Sequence, residues 1–534
     1  MRAVTDVIPT TRGGGQADAL LPVRRGVRLA LAVLLLLLLE TGAGQARPGG
    51  GHTYSGSHSS GGSRSYSSHP SASPPSRPFG SGTPVPFGSS SRGGGSSGCG
   101  GIGCFLLLLV IVVIVVIVLL ARRKGTGPPP VAPPPPPAPL DLDAIRGLDP
   151  DFSIVLFEDF AYALYAKAHE ARVSRRDLDA LAPYLSEGVR SHFAARPPAG
   201  AAVAGVVIGA MRAVGLSVPS PAAPPEGSPQ PQIRLVLEFE SNMTVGAPGS
   251  EVTQYVRERW QLVRNANVRS KPPEAVGTFH CPNCGAPFSS AAGGERCEYC
   301  GEVVSGGRFD WTVVAVEPLE IEDRPPSLTG TAEEEGTDLP TIVHPASQVR
   351  RAELLQDDPA ATDEAIAARV QLIYADLNAA WTALDLAPVR PYVSDGLFDY
   401  LQYWIAAYRQ QGLRNVLQGM HMTRWTLVKV IRDRYFDSLT FRIWATGRDS
   451  TVREATGEVV GGNPRADRNY SEYWTLIRGR SVRGKPRADK SCPNCGAPLA
   501  VSMAGDCEHC GAKITSGDFD WVLSKIEQDE SYTG

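Results

Sequence analysis

Apolar residues follow three patterns along the chain: continuous runs near the N-terminus, helical periods, and strand-like alternation. Leu29 to Leu39 is an apolar run of 11 residues, and Ile102 to Ala121 is a longer one with no charge inside it. Beyond residue 140, a segment with apolar residues at helical spacing is followed by alternating segments, and this succession occurs twice. The pattern predicts two α+β units, each with helices first and an antiparallel sheet after them.

The two apolar runs predict targeting and membrane insertion. The shorter run cannot span a bilayer and follows three arginines, which is typical of a secretory signal over residues 1–46. About 20 apolar residues match the hydrocarbon core of a bilayer, so residues 102–121 are predicted to form a transmembrane helix. Basic residues follow it at once and predict that its C-terminal side is cytoplasmic. We therefore expect a single-pass protein with its N-terminal tail outside and its C-terminal domains in the cytoplasm.

Low-complexity segments separate these elements from the folded part. Residues 47–100 are rich in Gly and Ser, and too little apolar surface exists there to offset chain entropy, so a disordered segment is predicted. Residues 125–140 are rich in proline and predict a semi-rigid spacer. Residues 324–345 predict a linker within the folded part. The net charge of −3 gives no general argument for a nucleic-acid partner.

The folded part contains two copies of one sequence. Three motifs recur in the same order: Pro183-Tyr-Leu-Ser-Glu-Gly188 and Pro391-Tyr-Val-Ser-Asp-Gly396, Trp260-Gln-Leu-Val-Arg264 and Trp474-Thr-Leu-Ile-Arg478, and Phe309-Asp-Trp311 and Phe519-Asp-Trp521. Because order and spacing are kept, we predict two homologous domains at 141–323 and 346–530.

Eight of the ten cysteines form two sets of paired Cys-x-x-Cys-Gly motifs. The sets are Cys281, Cys284, Cys297 and Cys300, and Cys492, Cys495, Cys507 and Cys510. Four thiolates complete a tetrahedral site and leave no open position for catalysis, so two structural Zn²⁺ sites are predicted, one per domain. Iron in a rubredoxin-like site is the alternative, because it uses similar motifs. The predicted zinc ribbons, 281–300 and 492–510, are insertions between the last two strands of each domain.

A run of basic residues leads into the second cysteine set. Its members are Arg478, Arg480, Arg483, Lys485, Arg487 and Lys490. A solvated, charge-guarded strand edge is the favoured interpretation. Contact with anionic lipid headgroups is the alternative, since the domain is predicted to be tethered to a membrane. Nucleic acid is disfavoured, because no aromatic residues of the stacking kind interleave the run.

Six aromatic residues of the second copy suggest either a ligand pocket or a core. They are Trp381, Tyr400, Trp404, Tyr408, Trp425 and Trp444. Large aromatics at helical or strand spacing are usually buried, so the core is favoured. No motif places an Asp/His or Ser/His pair, so the sequence predicts no catalytic residue, no small-molecule substrate and no enzymatic activity.

The second copy also shows an ordered set of family features. These are an aromatic-bearing helix, the Pro391–Gly396 turn, a helix ending at Gly412-Leu-Arg-Asn415, and four following strands. Together they resemble the Tim-forty-four-like (Tim44-like) domain family over about 365–530, and less closely over about 150–320. The resemblance implies the cone-shaped, nuclear-transport-factor-two-like fold and a membrane-associated binding role in protein translocation. It also implies a bacterial inner-membrane location and cone pockets that take apolar ligands.

One function and one alternative follow. The expected function is a membrane-anchored, non-enzymatic scaffold that contacts membrane lipid and unidentified proteins, with a structural zinc ion in each repeat. The alternative is a membrane-tethered zinc-ribbon regulator that contacts nucleic acid.

Overall fold

The computed structural model describes residues 140–534 except 199, 221–228, 248, 274–278, 289–293, 324–327 and 330–336. The predicted signal, Gly/Ser-rich segment and transmembrane helix, and nearly all of the proline-rich spacer, lie outside the described residues. Within the described part, no helix is long and apolar enough to cross a membrane.

The first half places three helices before a four-stranded antiparallel sheet. The helices are α1 (Ile154–Ala171), α2 (Arg175–Ala180) and α3 (Glu187–Ala195), and the strands are β1 (Val203–Ser217), β2 (Gln232–Val245), β3 (Val252–Asn265) and β4 (Thr312–Asp323). The strands lie in sequence order and every neighbouring pair is antiparallel. Alternate residues of β2, such as Leu235 and Leu237, face the helices and form a buried core with Leu164 of α1.

The second half repeats this plan with a larger sheet. Its helices are α4 (Ser347–Asp357), α5 (Asp363–Ala383) and α6 (Asp395–Gln410), and its strands are β5 (Leu413–Arg432), β6 (Phe436–Arg453), β7 (Val459–Gly462), β8 (Arg468–Gly479) and β9 (Val522–Gln528). The order is β5-β6-β8-β9, with β7 paired to β6. The predicted α+β class with antiparallel sheets is confirmed, while the domain boundaries at 141–323 and 346–530 stay a prediction.

Both cysteine sets lie between the last two strands of their sheets. The first set falls between β3, which ends at Asn265, and β4, which begins at Thr312. The second falls between β8, which ends at Gly479, and β9, which begins at Val522. The predicted position of the two insertions is therefore confirmed.

One strand of the first half was not predicted. The segment from Ala194 to Pro231 is rich in Ala, Pro and Gly, a composition that predicts an irregular stretch in the helical region, but Val203–Ser217 forms β1. Eleven of its residues pair with β2, and three register shifts interrupt the ladder. Pairing with an apolar neighbour outweighs the weak strand propensity of its glycines and alanines.

The predicted start of the first long helix in the second half is wrong. The sequence Asp358-Pro359 predicts that Asp358 caps the N-terminus of this helix, but Asp358 follows the end of α4, and α5 begins at Asp363. The side chain of Thr362 accepts the capping hydrogen bond from the backbone N–H of Ala365 at 3.2 Å. The carboxylate of Asp358 instead accepts from the buried Arg478, so a long-range ion pair replaces the local cap.

The two halves pack against each other through α1. Val155 and Leu156 of α1 share a buried cluster with Phe436, Ile477 and Val522 of the second sheet. Beside this buried contact, the ammonium of Lys525 on β9 lies 2.6 Å from the carboxylate of Glu158 on α1. The described residues of the two halves therefore belong to one packed unit.

Candidate metal centres

The four sulfur atoms of each set converge on one point. In each set all the Sγ atoms lie within 4.8 Å of one another. In the first set, sulfur atoms lie 3.8 Å apart for Cys284 and Cys297 and 3.9 Å apart for Cys281 and Cys300, and in the second set they lie 3.8 Å apart for Cys492 and Cys510. A tetrahedral ion with Zn–S bonds of about 2.3 Å would place its ligands about 3.8 Å apart. Each set therefore matches the donor geometry of one tetrahedral metal ion.

The backbone of all four Cys-x-x-Cys-Gly turns has the same hydrogen bonds. The glycine after the second cysteine donates its N–H to the carbonyl of the first cysteine, at 2.9 Å for Gly285 and 2.8 Å for Gly511. These glycines have positive φ angles, +76° at Gly285 and +70° at Gly511, which side chains with a Cβ adopt only with strain. The glycine therefore closes each turn and leaves both sulfur atoms on one side of it.

An asparagine in each set bonds to a cysteine sulfur. The amide Nδ2 of Asn283 donates to Sγ of Cys300 at 3.4 Å, and that of Asn494 donates to Sγ of Cys510 at 3.4 Å. This contact lowers the pKa of the Cys300 thiol to about 7 and that of Cys510 to about 6. A donor that stabilises the thiolate also supports metal ligation. The repeated Cys-Pro-Asn-Cys motif is the only sequence signal for this role of the asparagines, and the role was not predicted from it.

Replacing Asn494 with Asp is expected to weaken metal binding at the second site by about 10–100-fold. A carboxylate cannot donate to the sulfur, and its charge opposes the thiolates. The measurement is competition between the full chain and a chromophoric chelator. Asn463→Asp, in the exposed turn between β7 and β8, is the matched control. If the two variants bound the metal with equal affinity, Asn494 would not support metal ligation.

The second ribbon and the residues that follow it, up to Thr515, are bonded to the start of α6. Oγ1 of Thr515 donates to Oδ1 of Asp395 at 2.8 Å, and Nζ of Lys513 lies 2.7 Å from Oδ2 of the same carboxylate. The Arg390 guanidinium, 1 % exposed, donates to the backbone carbonyl of Met503 at 3.0 Å. The ribbon is thus fixed to the helical layer and not only to the strands that flank it.

The first ribbon packs on the helical layer in a similar way. Tyr184 donates its hydroxyl to the carbonyl of His280 at 2.8 Å. Ala182 lies in one buried cluster with Cys281, Cys297 and Val304. Each metal site is therefore integrated with its own half of the molecule.

Much of the basic run is neutralised within the protein. Arg478 lies 2.9 Å from Asp358, Arg480 lies 3.5 Å from Asp357, and Arg487 lies 2.9 Å from Asp489. Arg483 donates to the backbone carbonyl of Asp357 at 3.0 Å. Lys485 and Lys490 are exposed and have no ion pair among the described residues. An anionic-surface contact stays a prediction, and these two lysines would supply most of its free charge.

Three of the six aromatic residues lie in the core. Trp381, Trp404 and Tyr408 are at most 2 % exposed, in one cluster with helices and sheet. The guanidinium of Arg424 stacks on the ring of Trp444, 3.6 Å from the ring centre. The core interpretation is confirmed for the three buried residues.

A buried arginine clamp appears once in each half. In the first half, Arg264 donates to Asp149 at 2.8 Å and its guanidinium lies 4.8 Å from the ring centre of Trp311. In the second half, Arg478 donates to Asp358 at 2.9 Å and its guanidinium lies 4.4 Å from the ring centre of Trp521. We call each set of arginine, aspartate and tryptophan a clamp. Each clamp joins the segment before the long helix to the sheet and to the end of the ribbon insertion. The arginine and tryptophan lie in the repeated motifs, so only the aspartates were missed; both precede a proline.

The comparison with protein families concerns the second half. Residues 348–487 match the family model described as "Tim44-like domain". The second half therefore contains a Tim44-like domain. The predicted resemblance is confirmed there, and the matched residues end before Cys492. The metal ribbon and β9 thus lie outside the part of the Tim44-like domain that the family model matches.

Two further comparisons add little. The search of curated proteins found no match. Among solved structures, the chain is similar to an "Ntf2 like protein involved in plasmid conjugation" at 8 % identity, covering 70 % of this chain and 96 % of that one, with a TM-score of 0.17. A score of this size carries no argument about fold or function.

Proposed function

We propose that this chain is a non-enzymatic scaffold of a bacterial inner membrane that supports protein translocation, with one structural zinc ion in each half. The observation that supports it most is a Tim44-like domain to which a closed four-thiolate ribbon is bonded. In such a site all the metal ligands are protein thiolates, which suits a structural ion and leaves no coordination position for a substrate.

Zinc is the proposed metal in both sites. Thiolate donors at tetrahedral spacing suit zinc and also iron. Zinc binding adds directly to the folding energy of a small unit, and each ribbon packs with only a few buried apolar residues, such as Val304 and Ile514, which follow the ribbons in the chain. A structural role therefore favours zinc.

Membrane anchoring is proposed from the apolar segment 102–121, which lies outside the described residues. A helix of that length would tether the packed halves close to the cytoplasmic face of the membrane. The proline-rich residues 125–140 would then act as a spacer between the bilayer and the first half.

The test uses the full chain in its native membranes, with a photo-crosslinking residue at an exposed position such as Lys485 or Met503. Cross-links to translocation components, or to a precursor arrested during translocation, are the expected result. Cross-links to nucleic acid, or none to translocation components under arrest, would refute the proposal. Total metal analysis of the same preparation is expected to give two zinc ions per chain.

A further inference from the structure

The interior of the first half contains a cluster of charged residues where α1 and α3 end. Arg172 follows the last residue of α1, and Arg196 follows the last residue of α3. Both face Glu258, which lies on β3 and is fully buried. The carboxylate of Glu258 accepts from a guanidinium N–H of Arg196 and lies 3.0 Å from Nε2 of His169 on α1.

Several donors of this cluster lack hydrogen-bond partners within the described structure. Arg172 is 2 % exposed, and none of its three guanidinium nitrogens has a partner there. Nη2 of Arg196 and Nδ1 of His169 are also buried and unpartnered in that part of the chain. Buried polar groups are nearly always hydrogen-bonded in native proteins, so this concentration in one place needs an explanation.

The cluster also carries an excess positive charge. Burial would raise the pKa of Glu258, but His169 and Arg196 lower it to about 2, so the carboxylate is ionised. Burial lowers the pKa of His169, so the imidazole is neutral near pH 7. Burial and the charge of Arg196 lower the pKa of Arg172 to about 10, which leaves it protonated. Two guanidinium ions thus face one carboxylate, and a buried unpaired charge is strongly unfavourable.

We propose that this cluster binds an oxyanion, a carboxylate or a phosphate group, through the free N–H groups of Arg172 and Arg196. A guanidinium presents its donors in a planar fork that fits both groups. The rings of Phe193 and Trp260 lie beside His169, so an apolar tail on the anion would also meet favourable surroundings. A bound anion would balance the charge of the cluster and would satisfy the N–H donors that have no partner among the described residues.

The second half provides an internal comparison for Arg172. Tyr165 of α1 packs on Trp260, with ring centres 5.0 Å apart, and Tyr374 of α5 packs on Trp474 at 5.8 Å. These tyrosines are therefore equivalent. Seven residues after each, the first half has Arg172 and the second has Trp381, whose indole N–H donates to Oδ1 of Asn415 at 2.9 Å.

The same comparison applies to Arg196. Ser186 donates its backbone N–H to the Val313 carbonyl of β4 at 3.0 Å, and Ser394 donates to that of Leu523 in β9 at 2.9 Å. Ten residues after each serine stand Arg196 and Trp404. The second half therefore replaces both arginines by tryptophans of its apolar core. The proposed anion site belongs to the first half alone and does not follow from the fold that the halves share.

The test is titration calorimetry of the full chain with inorganic phosphate, acetate and octanoate, with chloride as the control for ionic strength. At least one oxyanion is expected to bind, and Arg172→Leu is expected to weaken that binding about tenfold or more. Preferred binding of phosphate would indicate a phosphorylated ligand, and preferred binding of octanoate an acid with an apolar tail. Without ligand, Arg172→Leu is expected to melt no lower than the wild type, because it removes an unpaired buried charge.

Trp381→Leu, at the equivalent position of the second half, is the matched control. It is expected to lower the melting temperature while leaving anion affinity unchanged. Arg172→Gln, which keeps polar volume without charge, is the second variant should Arg172→Leu fold poorly, and it is also expected to lose binding. Binding no stronger than that of chloride, or full affinity in a folded Arg172 variant, would overturn the proposal.

Discussion

Replacing Cys492 and Cys495 together by serine is expected to reduce the metal content of the full chain from two ions to one and to unfold the second ribbon. Two thiolates of a four-thiolate site would be lost, and the remaining pair cannot hold a tetrahedral ion. Zinc binding of about 10–16 kcal/mol is also folding energy for such a unit. The apolar cluster around the ribbon is small, with Ile514 packed against Cys492 and Cys507. Elemental analysis and hydrogen exchange over residues 488–516 measure both effects.

Two control variants make this experiment specific. Cys281→Ser with Cys284→Ser should remove the first ion and leave the second ribbon protected. His509→Ala changes an exposed residue of the second ribbon that is outside the group of convergent ligands, and it should keep both ions. Two ions in the Cys492/Cys495 variant would contradict the assignment of the ligands. Iron in place of zinc in the wild type would contradict the metal.

Loss of the second ribbon should not unfold the Tim44-like domain beneath it. The large core of the second half is formed by residues of α4 to α6 and the sheet, and the ribbon cysteines belong to a separate cluster. What the ribbon shares with the domain is the polar contact at Asp395 and Arg390. The expected effect on the domain is therefore limited to the first turn of α6.

Features encoded over short distances were predictable from the sequence. The spacing of the cysteines and their glycines predicts the metal turns, because a turn of a few residues depends on little else. The duplication then indicates which strands flank each insertion, since the Trp260 and Trp311 motifs recur as the Trp474 and Trp521 motifs. These predictions needed no knowledge of tertiary contacts.

Features that depend on distant partners were not predictable. β1 is interrupted by glycines and alanines of weak strand propensity and is stabilised by pairing with β2. Asp358 binds Arg478, which lies 120 positions later in the chain, and does not cap a helix. The polar stripe Tyr165, His169 and Arg172 has helical spacing and was visible in the sequence. The burial of this stripe, and the lack of partners for Arg172 among the described residues, depend on how α1, α3 and β3 meet in space.

Replacing Asp358 by Asn is expected to lower the free energy of unfolding of the second half by about 3–5 kcal/mol. Arg478 is 1 % exposed and would remain charged without its carboxylate partner. The backbone N–H of Gly484, 3.2 Å from Oδ1 of Asp358, would lose an ionised acceptor at the same time. The change keeps the size of the side chain, so the effect reports charge and not packing. The change in the free energy of unfolding is measured by urea titration, with hydrogen exchange of the β8 amides as the probe of the second half.

The matched control is Glu458→Gln, which neutralises one partner of an exposed ion pair. Glu458 is 65 % exposed and lies 3.4 Å from Arg453, so its loss should change stability by less than about 1 kcal/mol. Asp149→Asn is expected to destabilise the first half as Asp358→Asn does the second, because Arg264 is equally buried and stacks on Trp311. If Asp358→Asn behaves like Glu458→Gln, the clamp does not stabilise the fold. If each change destabilises only the half that carries it, each clamp stabilises its own sheet. The contact between the halves at α1 would then transmit little of the destabilisation.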